Sequence, residues 1–539
     1  MLDFVRNRLG SYLDGISRRE LFRRGGMLAA APALLSGSRA EADETAGKLQ
    51  IGREIYQSIG VRPVINCVGT ITVYGGSLEL PEVRAAKDAG ARHFVQLDEL
   101  ADRIGTRLAE LTGAEWGIVS SGCAAAMTNA TSACVTGGNP ELHVRVPDLS
   151  GFPKDEAVIP SHSRNQYDQA VRAVGVRVIE ARNTAEYEAA LGPRVAMVYV
   201  FAGPRAEAGP PNYDEIYSLA RKRNIPVLVD AAAETLTVPN VHLKRGATMV
   251  AYSGGKCLQG PQCAGLLLGR KDLVQAAWVA SAPHHGHGRN MKVGKEEAIG
   301  MLAAVEMWMK RDHQAEWDTW MSWMRTIADR AGSVPGVTAQ IHETKELSNH
   351  CPVLSISWDS GKLAITGREV ADILSKTEPR IALNARGGRG PQAGGETGIS
   401  ITSYMMQPGE DRIVGDRIRE VLAAPRTKGQ TDSRPAGDLT GRWDVHIEFA
   451  AGSADHIMQV SQQGARLSGT YQGNFVTRDL SGRISGSEIQ IAASIPDTHG
   501  AAVSYRFEGK LDGDVLSGAL DMGEYLAAKW TAKRHTFAL

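Results

Sequence analysis

Short apolar runs alternate with longer stretches of helical pattern between residues 115 and 270. The runs lie at residues 116–119, 157–160, 176–179, 195–201, 225–229, 249–252 and 266–268. Runs this short, with little polar alternation, are typical of strands buried on both faces of a parallel sheet. Strands and helices that alternate at this spacing predict an α/β fold built on a mostly parallel sheet flanked by helices.

Other patterns occupy the rest of the chain. Upstream, one long amphipathic helix is predicted from Pro81 to about residue 111. Alternation at 353–358, with helical patterns on either side of a strand-like run at 398–402, predicts a smaller α+β domain. From about residue 438, Leu-Ser-Gly turns recur among segments of period-two alternation. Those segments predict an antiparallel β sheet or small barrel.

The patterns predict a division of the chain into five segments. These are an export signal at 1–40, a large α/β domain at 41–310, a smaller α+β domain with its connecting helix at 311–425, a polar linker at 426–437 and a C-terminal β domain at 438–539. A chain of 539 residues is long enough for two to four domains, so the division is consistent with its length.

Composition narrows the classes of partner. Hydrophobic residues make up 43% of the chain and charged residues 22%, as in globular proteins with large cores. Lys and Arg together number 60, as do Asp and Glu, so no overall charge attracts nucleic acid and a tRNA substrate is disfavoured. The six cysteines are scattered without a CxxC pair, which favours reduced or buried thiols over a metal site.

The N-terminus has the pattern of an export signal. Ser-Arg-Arg-Glu-Leu-Phe at 17–22 precedes a small apolar stretch at 25–35, which is too short for a stable membrane span. The string resembles the twin-arginine signal of bacteria, and it predicts export by the Tat translocase, cleavage near Ala40 and a periplasmic or secreted protein. The alternative is a basic amphipathic helix.

An acid and a lysine end two neighbouring apolar runs. Asp230 follows the run at 225–229, and Lys256 follows the run at 249–252 after Ser253 and two glycines. The carboxyl ends of parallel strands meet at one edge of a sheet, where ligands gather. A carboxylate for a pyridinium nitrogen and a lysine for a Schiff base suit pyridoxal 5'-phosphate (PLP), so the pair predicts a PLP site.

A phosphate site is predicted about a hundred residues upstream. After the run at 116–119, Ser121, Gly122 and Cys123 precede an alanine-rich helical pattern. A helix N-terminus presents free N–H groups and a positive dipole end, which suit a phosphate. Taken alone, the pattern also fits an ordinary strand–turn–helix junction.

Other candidate residues have weaker signals. His162 follows a strand end, where its ring would lie on the cofactor or simply pack. A loop at 282–294 carries three histidines and Arg289, and we expect it to reach the substrate. Its histidines have neither zinc spacing nor a carboxylate or thiolate partner, so no metal site is predicted. In the small domain, Arg380 and Arg386 are candidates for a substrate carboxylate, although either would serve equally as a solvated charge.

Residues from about 50 to 425 resemble the fold type I PLP enzymes, and among them the selenocysteine synthase-like branch that includes glucosaminate-phosphate ammonia lyases. The resemblance rests on four strings: INCVGT at 65–70, SSGCAAAM at 120–127, VDAAAE at 229–234 and SGGKCLQGPQCAGLLLGRKDL at 253–273. The last is the most specific, because a lysine behind Ser-Gly and ahead of Gly-Pro-Gln marks this branch. The resemblance implies a homodimer or larger homo-oligomer and a small-molecule amino substrate.

The resemblance also implies roles for individual residues. Lys256 would hold PLP as an aldimine and then act as base at Cα, and Asp230 would keep the pyridine nitrogen protonated. Ser121, Gly122, Cys123 and Ser253 would hold the phosphate, and Ala232 would pack beneath the ring. The expected reaction is β-elimination from an amino acid or amino sugar acid. Aminotransfer and racemisation are alternatives, and a non-catalytic exported binding protein is a third.

Overall fold

The computed structural model describes residues 47–387, 395–426, 433–494 and 503–536, so the export signal predicted at 1–40 lies outside the described residues. The chain divides into two compact units between Pro63 and Val64. In the first unit, the described residues contain a short 3-10 turn, Gln57–Ile59. The second unit contains the strands and α-helices described below, and the domain boundaries given above stay predictions.

A seven-stranded sheet forms the centre of the second unit. The first eight strands are β1 (Ile65–Asn66), β2 (Trp116–Ser120), β3 (Glu156–Pro160), β4 (Arg177–Ala181), β5 (Val195–Phe201), β6 (Val227–Asp230), β7 (Met249–Ser253) and β8 (Gly265–Gly269). The sheet has the order β2-β8-β7-β6-β5-β3-β4. The neighbouring pairs β4–β3, β3–β5, β5–β6 and β6–β7 are parallel. Strand β8 is antiparallel to both of its neighbours, β7 and β2. The mostly parallel sheet predicted from the apolar runs is therefore confirmed.

Helices cover both faces of this sheet. They are α1 (Pro81–Ala91), α2 (Leu97–Thr112), α3 (Gly122–Thr136), α4 (Pro140–His143), α5 (Gln169–Arg172), α6 (Thr184–Ala190), α7 (Pro204–Ala208), α8 (Tyr213–Lys222), α9 (Val241–Arg245), α10 (Lys271–Ala280) and α11 (Lys295–Trp308). Along β5, Val198 and Val200 belong to one hydrophobic core, and Met197 and Tyr199 belong to another. Alternate residues of a strand point to opposite faces, so the sheet separates two cores.

The single helix predicted from Pro81 to about residue 111 is wrong. The structure has two helices there, because α1 ends at Ala91 and α2 begins at Leu97. Gln96 caps the second helix by accepting a hydrogen bond from the Glu99 N–H at 2.6 Å. A capping side chain and the glycine at position 90 both favour an interruption, which the amphipathic pattern alone does not reveal.

A smaller α+β domain follows α11 and begins with its connecting helix, α12 (His313–Gly332). Its other elements are β9 (Val337–Glu343), β10 (Pro352–Asp359), α13 (Ser360–Leu363), α14 (Gly367–Lys376), β11 (Ile381–Ala382), β12 (Asn384–Gly387), β13 (Glu396–Thr402) and α15 (Glu410–Ala423). The antiparallel order is β12-β13-β10-β9. Alternate residues of β10 are buried, and α12, α14 and α15 contribute to the core on that face. A parallel pairing of β1 with β11 ties residues 65–66 to this region.

The C-terminal domain is a closed eight-stranded barrel. Its strands are β14 (Gly441–Glu448), β15 (Ser453–Gln463), β16 (Arg466–Gln472), β17 (Thr477–Ser485), β18 (Glu488–Ser494), β19 (Tyr505–Asp512), β20 (Val515–Asp521) and β21 (Ala527–Arg534). Each pairs antiparallel with the next, and β21 returns to β14. The predicted β domain is confirmed.

None of the helices in the described parts of the chain has the length and apolarity that crossing a bilayer requires.

Candidate active site at the carboxyl edge of the sheet

The carboxylate of Asp230 lies at the end of β6 and is 2% exposed. Its Oδ2 accepts a hydrogen bond from the Tyr199 hydroxyl at 2.9 Å. Its Oδ1 accepts one from the Ala232 N–H at 3.1 Å, and the Cys123 thiol lies 3.5 Å from the same oxygen. Burial raises the pKa of Asp230, while these donors and the charge of Lys256 act in the opposite direction. The acid is therefore fixed in orientation and surrounded by donors.

Tyr199 is a buried residue of β5 that the sequence analysis did not single out. Its hydroxyl donates to Asp230 and accepts a hydrogen bond from Nδ2 of Asn165 at 3.2 Å. Asn165 is itself fixed, because its Oδ1 accepts the Tyr167 N–H at 2.7 Å. Burial, followed by the nearby Asp230 charge, raises the pKa of Tyr199, so the phenol stays protonated and remains a donor. A tyrosine inside an otherwise apolar run was the available signal, since a buried hydroxyl needs a partner.

Lys256 lies in the turn that follows β7. Its side chain is half-buried, and its ammonium has no hydrogen-bond acceptor among the residues that the structure describes. The turn is tightly held: the Gly254 N–H donates to the Ala264 carbonyl at 2.8 Å. A Cβ on Gly254 would lie 2.7 Å from that carbonyl oxygen, so the turn requires glycine there. Lys256 is close enough to Asp230 to oppose the rise in its pKa.

The N-terminus of α3 forms an open cradle beside this edge. Ser121 is the N-cap residue, and its side chain caps no backbone N–H of the helix. Gly122 has φ +82°, and no atom of the described residues lies within 4 Å of where its Cβ would be. From β8, a Cβ on Gly265 would lie 2.6 Å from the Cys123 nitrogen, so this strand supports the cradle at close range. Free N–H groups, a helix dipole and a serine hydroxyl suit an anion.

Comparisons with known proteins agree with this geometry. No protein-family model matches the chain. The chain is 29% identical over 378 residues to D-glucosaminate-6-phosphate ammonia lyase of Salmonella typhimurium (strain 14028s / SGSC 2262), a match that covers 68% of this chain and 97% of the relative. It is 33% identical over 302 residues to 5'-C-glycyluridine monooxygenase-decarboxylase of a Streptomyces species, covering 53% and 73%. The chain belongs to the selenocysteine synthase-like branch of the fold type I PLP enzymes.

Two further comparisons support the same assignment. L-seryl-tRNA(Sec) selenium transferase of Moorella thermoacetica is 28% identical over 313 residues, covering 49% of this chain and 60% of the relative. A solved structure of D-glucosaminate-6-phosphate ammonia-lyase superimposes with a TM-score of 0.60 at 27% identity, covering 68% of this chain and 98% of that one. The protein is therefore an enzyme, and its cofactor is PLP.

The residues of this PLP enzyme fit the cofactor. The α3 cradle offers donors for the phosphate, and Asp230 offers a buried carboxylate for the ring nitrogen. Ser253, at the end of β7, is half-buried beside the cradle's strand, and its N–H donates to the Ala232 carbonyl at 3.3 Å. The cofactor roles assigned to Ser253 and Ala232 stay predictions.

His162 lies in the 3-10 turn that follows β3. Its Nε2–H donates to the Pro211 carbonyl at 2.9 Å, and its Nδ1 accepts from the Ser163 hydroxyl at 3.0 Å. Burial lowers its pKa, with the Arg205 charge acting in the same direction. The PLP enzyme thus presents a neutral imidazole of fixed orientation near the cofactor edge. Whether the ring stacks on the cofactor stays a prediction.

The loop at 282–294 is anchored through one of its histidines. His284 lies 3.0 Å from the Asp98 carboxylate, which also accepts a hydrogen bond from Nε1 of Trp278 at 2.8 Å. This imidazole is therefore held by the protein's own groups. The expectation that the loop reaches the substrate stays a prediction. Arg289 is exposed on the loop. The described residues contain no group of three or more His, Cys, Asp or Glu side chains arranged for a metal ion.

The two small-domain arginines have partners within that domain. Nε of Arg380 donates to the Ser375 carbonyl at 2.8 Å. Arg386, on β12, hydrogen-bonds to the Ser355 hydroxyl of β10 and lines a cavity of about 400 Å³ on the exposed face of the small sheet. The substrate roles of Arg289 and Arg380 stay predictions.

Residues 71–78, upstream of α1, form a wall segment beside the lysine turn. The Ser77 N–H donates to the Gly255 carbonyl at 3.0 Å, and a Cβ on Gly76 would lie 1.7 Å from Oε1 of Gln262. Among the described residues, the hydroxyl of Ser77 is buried without a hydrogen-bond partner. Gln262 belongs to the Gly-Pro-Gln string that follows the lysine, so this string packs against the wall. Neither Ser77 nor Gln262 was singled out from the sequence.

Proposed function

We propose that this PLP enzyme is a lyase that deprotonates Cα of an amino acid or amino sugar acid and eliminates a β substituent. The observation that carries the proposal is the pairing of a buried, triply contacted Asp230 with a Lys256 ammonium that has no acceptor among the described residues. A structural lysine in a buried turn is expected to have a partner, whereas a catalytic amine must be available. The 29% identity to an ammonia lyase, over nearly all of that relative, supports elimination over other outcomes.

The roles of the chain's own residues follow from their positions. When bound, PLP supplies an electron sink for the bond that breaks at Cα. Lys256 would hold the cofactor through Nζ until a substrate amine takes its place, after which Nζ is free to remove the Cα proton. Asp230 would hold a proton on the ring nitrogen, and the Tyr199 hydroxyl and the Ala232 N–H fix the carboxylate for this task. The neutral His162 ring adds no positive charge near the cofactor.

Identification of Lys256 as the cofactor lysine is tested first. The purified full-length chain, supplied with PLP, is treated with borohydride and digested, and the modified peptide is identified by mass spectrometry. We expect the label on Lys256, its loss in Lys256→Ala, and its retention in Lys271→Ala, which removes an exposed lysine at the start of α10. A label on another lysine in the wild-type chain would overturn the assignment.

The reaction is tested separately, because relatives in this branch carry the names of an ammonia lyase, a monooxygenase-decarboxylase and a selenium transferase. D-Glucosaminate-6-phosphate, the compound in the name of the first relative, is the first substrate to offer, followed by a panel of amino acids and amino sugar acids. We expect ammonia and a keto acid in equal amounts without an added acceptor. A keto-acid requirement would indicate aminotransfer, and an inverted Cα would indicate racemisation.

A homodimer is part of the proposal. Several apolar side chains of the wall segment are exposed: Ile71 by 44%, Val73 by 80% and Leu78 by 61%. They adjoin Ser77, which contacts the lysine turn, so a second copy that covered them would also cover the site. Light scattering should give twice the chain mass for wild type and a smaller mass for Val73→Asp. A wild-type monomer that is active would contradict this proposal.

Export through the Tat translocase is also proposed, on the basis of the Arg18-Arg19 pair and the apolar stretch that follows it. This route carries folded proteins, so PLP would be acquired before transport. The expected result is a secreted chain that begins near residue 41 and a cytoplasmic, uncleaved chain when Arg18 and Arg19 are both replaced by lysine. A mature protein that still begins at Met1 would contradict cleavage.

A further inference from the structure

One end of the C-terminal barrel contains a cavity that no part of the PLP chemistry uses. Its volume is about 560 Å³, within the range of small-molecule sites. Most of its wall is apolar and comes from the β14–β15 and β20–β21 loops together with β19. The lining includes Phe449, Val503, Tyr505, Met522 and Leu526.

The cavity is a cup and not a channel. Deeper in the barrel, Trp443, Phe507 and Trp530 are buried to 1% exposure or less and fill the interior. The Phe507 and Trp530 rings meet edge to face at 5.0 Å. A ligand that entered from the open end would therefore stop at this aromatic floor.

A buried arginine stands against the wall of the cup. Arg478 is on β17, is 6% exposed, and donates through Nε to the Val503 carbonyl at 2.7 Å and through Nη1 to the Val476 carbonyl at 3.2 Å. Its guanidinium lies 5.0 Å from the centroid of the Tyr505 ring. Both Val503 and Tyr505 line the cavity. Among the residues that the structure describes, Arg478 has no carboxylate partner, and its two hydrogen bonds go to neutral carbonyl groups.

A second unused donor lies on the neighbouring strands. His456, on β15, is 6% exposed, and its Nδ1 is hydrogen-bonded to the Tyr471 hydroxyl. Burial raises the pKa of Tyr471, so the phenol donates and Nδ1 accepts, which leaves the proton of the imidazole on Nε2. Within the described part of the chain that Nε2 is buried without a hydrogen-bond partner, and Asn474, Asp455 and Arg478 are the polar and charged groups that act on the ring.

We propose that this end of the barrel binds a small amphipathic carboxylate, with its apolar body in the cup and its acid group at Arg478 and His456. The two residues offer donors and no acceptor, and a carboxylate requires that combination. The apolar lining would desolvate a short aliphatic or aromatic body. A neutral ligand of the same shape would fill the cup and leave the Arg478 charge unpaired.

The test is titration calorimetry on the full-length chain loaded with PLP, using decanoate and, as the neutral match, decan-1-ol. We expect decanoate to bind wild type at least about 10-fold more tightly than decan-1-ol, because hydrogen bonds to charged groups carry that difference. Arg478→Met should remove this preference and leave the affinity for decan-1-ol within about twofold. Arg466→Met, which removes an exposed arginine at the opposite end of β16, should change neither affinity.

Three results would overturn the proposal: no decanoate binding by wild type, equal affinities for the two compounds, or an equal loss of both in Arg478→Met. Thermal unfolding of each variant shows whether the barrel remains folded. If Arg478→Met does not fold, Leu526→Asp takes its place, because this side chain is 76% exposed and lines the cup. It should weaken decanoate more than decan-1-ol, and a variant that binds decanoate as wild type does would count against the site.

Discussion

Removal of the Tyr199 hydroxyl tests the arrangement around Asp230 most directly. In Tyr199→Phe, the Oδ2 atom of Asp230 loses its donor at 2.9 Å, and Asn165 loses an acceptor at 3.2 Å, while the ring still fills its place in the core. A hydrogen bond to a charged group contributes about 1.5–3 kcal/mol, so we expect PLP affinity at pH 7.5 to fall about 10-fold or more.

The same substitution should change the pH dependence of PLP binding. The hydroxyl opposes the rise that burial causes in the pKa of Asp230, so its removal raises that pKa further. PLP binding relies on an ionised Asp230 beside the ring nitrogen. As pH falls, binding should therefore be lost at a higher pH in Tyr199→Phe than in wild type. Absorbance titrations with PLP between pH 5 and 9 measure this shift of the acidic limb directly.

Tyr187→Phe is the matched control for this prediction. Tyr187 is also fully buried, and its hydroxyl donates to a backbone carbonyl, that of Ile216, at 3.1 Å in α8. Loss of the Tyr187 hydroxyl should lower the free energy of unfolding by about 1 kcal/mol and leave the contacts of Asp230 unchanged. If both variants bind PLP alike at every pH, then the hydroxyl of Tyr199 does not position the acid, and the reasoning is refuted.

Three more predictions concern packing and reactivity. Gly265→Ala places a Cβ 2.5 Å from the backbone at the start of α3 and should weaken PLP binding several-fold. Gly192→Ala is the control, because the nearest atom to its Cβ is 4.0 Å away and PLP binding should not change. Equilibrium dialysis against PLP compares the two variants. A thiol reagent should label Cys263 before the other five cysteines, because Cys263 is the one of the six whose side chain is exposed. Peptide mapping at short reaction times measures the order of labelling. Glu234→Ala removes the partner of the buried His242 at 2.6 Å and should lower the free energy of unfolding by about 1–3 kcal/mol in denaturant titrations.

The strands that carry the site could be predicted because burial is recorded locally in the sequence. The apolar runs before Asp230 and Lys256 have almost no polar alternation, and the corresponding strands, β6 and β7, are buried along nearly all of their length. The barrel was predictable for the complementary reason, since buried and more exposed residues alternate along most of strands such as β14 and β15. In the small domain, β9 has no fully buried residue. Its residues therefore form no apolar run from which a strand could be predicted.

The contacts around the acid could not be predicted, because they depend on sheet register. Tyr199 pairs with Leu228 across β5 and β6, which brings its hydroxyl to the residue two positions further along. The anchoring of His284 by Asp98 likewise joins a loop to α2, far apart in sequence. A local pattern identifies the residue that needs a partner, but only the folded chain supplies the partner.

The balance at Asp230 implies that PLP stabilises the fold more as pH rises. Burial raises the pKa of Asp230 above its ordinary value, so above that raised pKa the cofactor-free protein carries the cost of an ionised, buried carboxylate. The stability of the cofactor-free protein should therefore decline as pH rises from the ordinary aspartate pKa to the raised pKa of Asp230, and then level off. A protonated ring nitrogen supplies a counter-charge and removes the cost, so the difference in melting temperature between loaded and cofactor-free protein should widen with pH. In Asp230→Asn, which has no such charge, the difference should lose this dependence, and a wild-type difference that stays constant with pH would show that the neighbouring donors already compensate the acid fully.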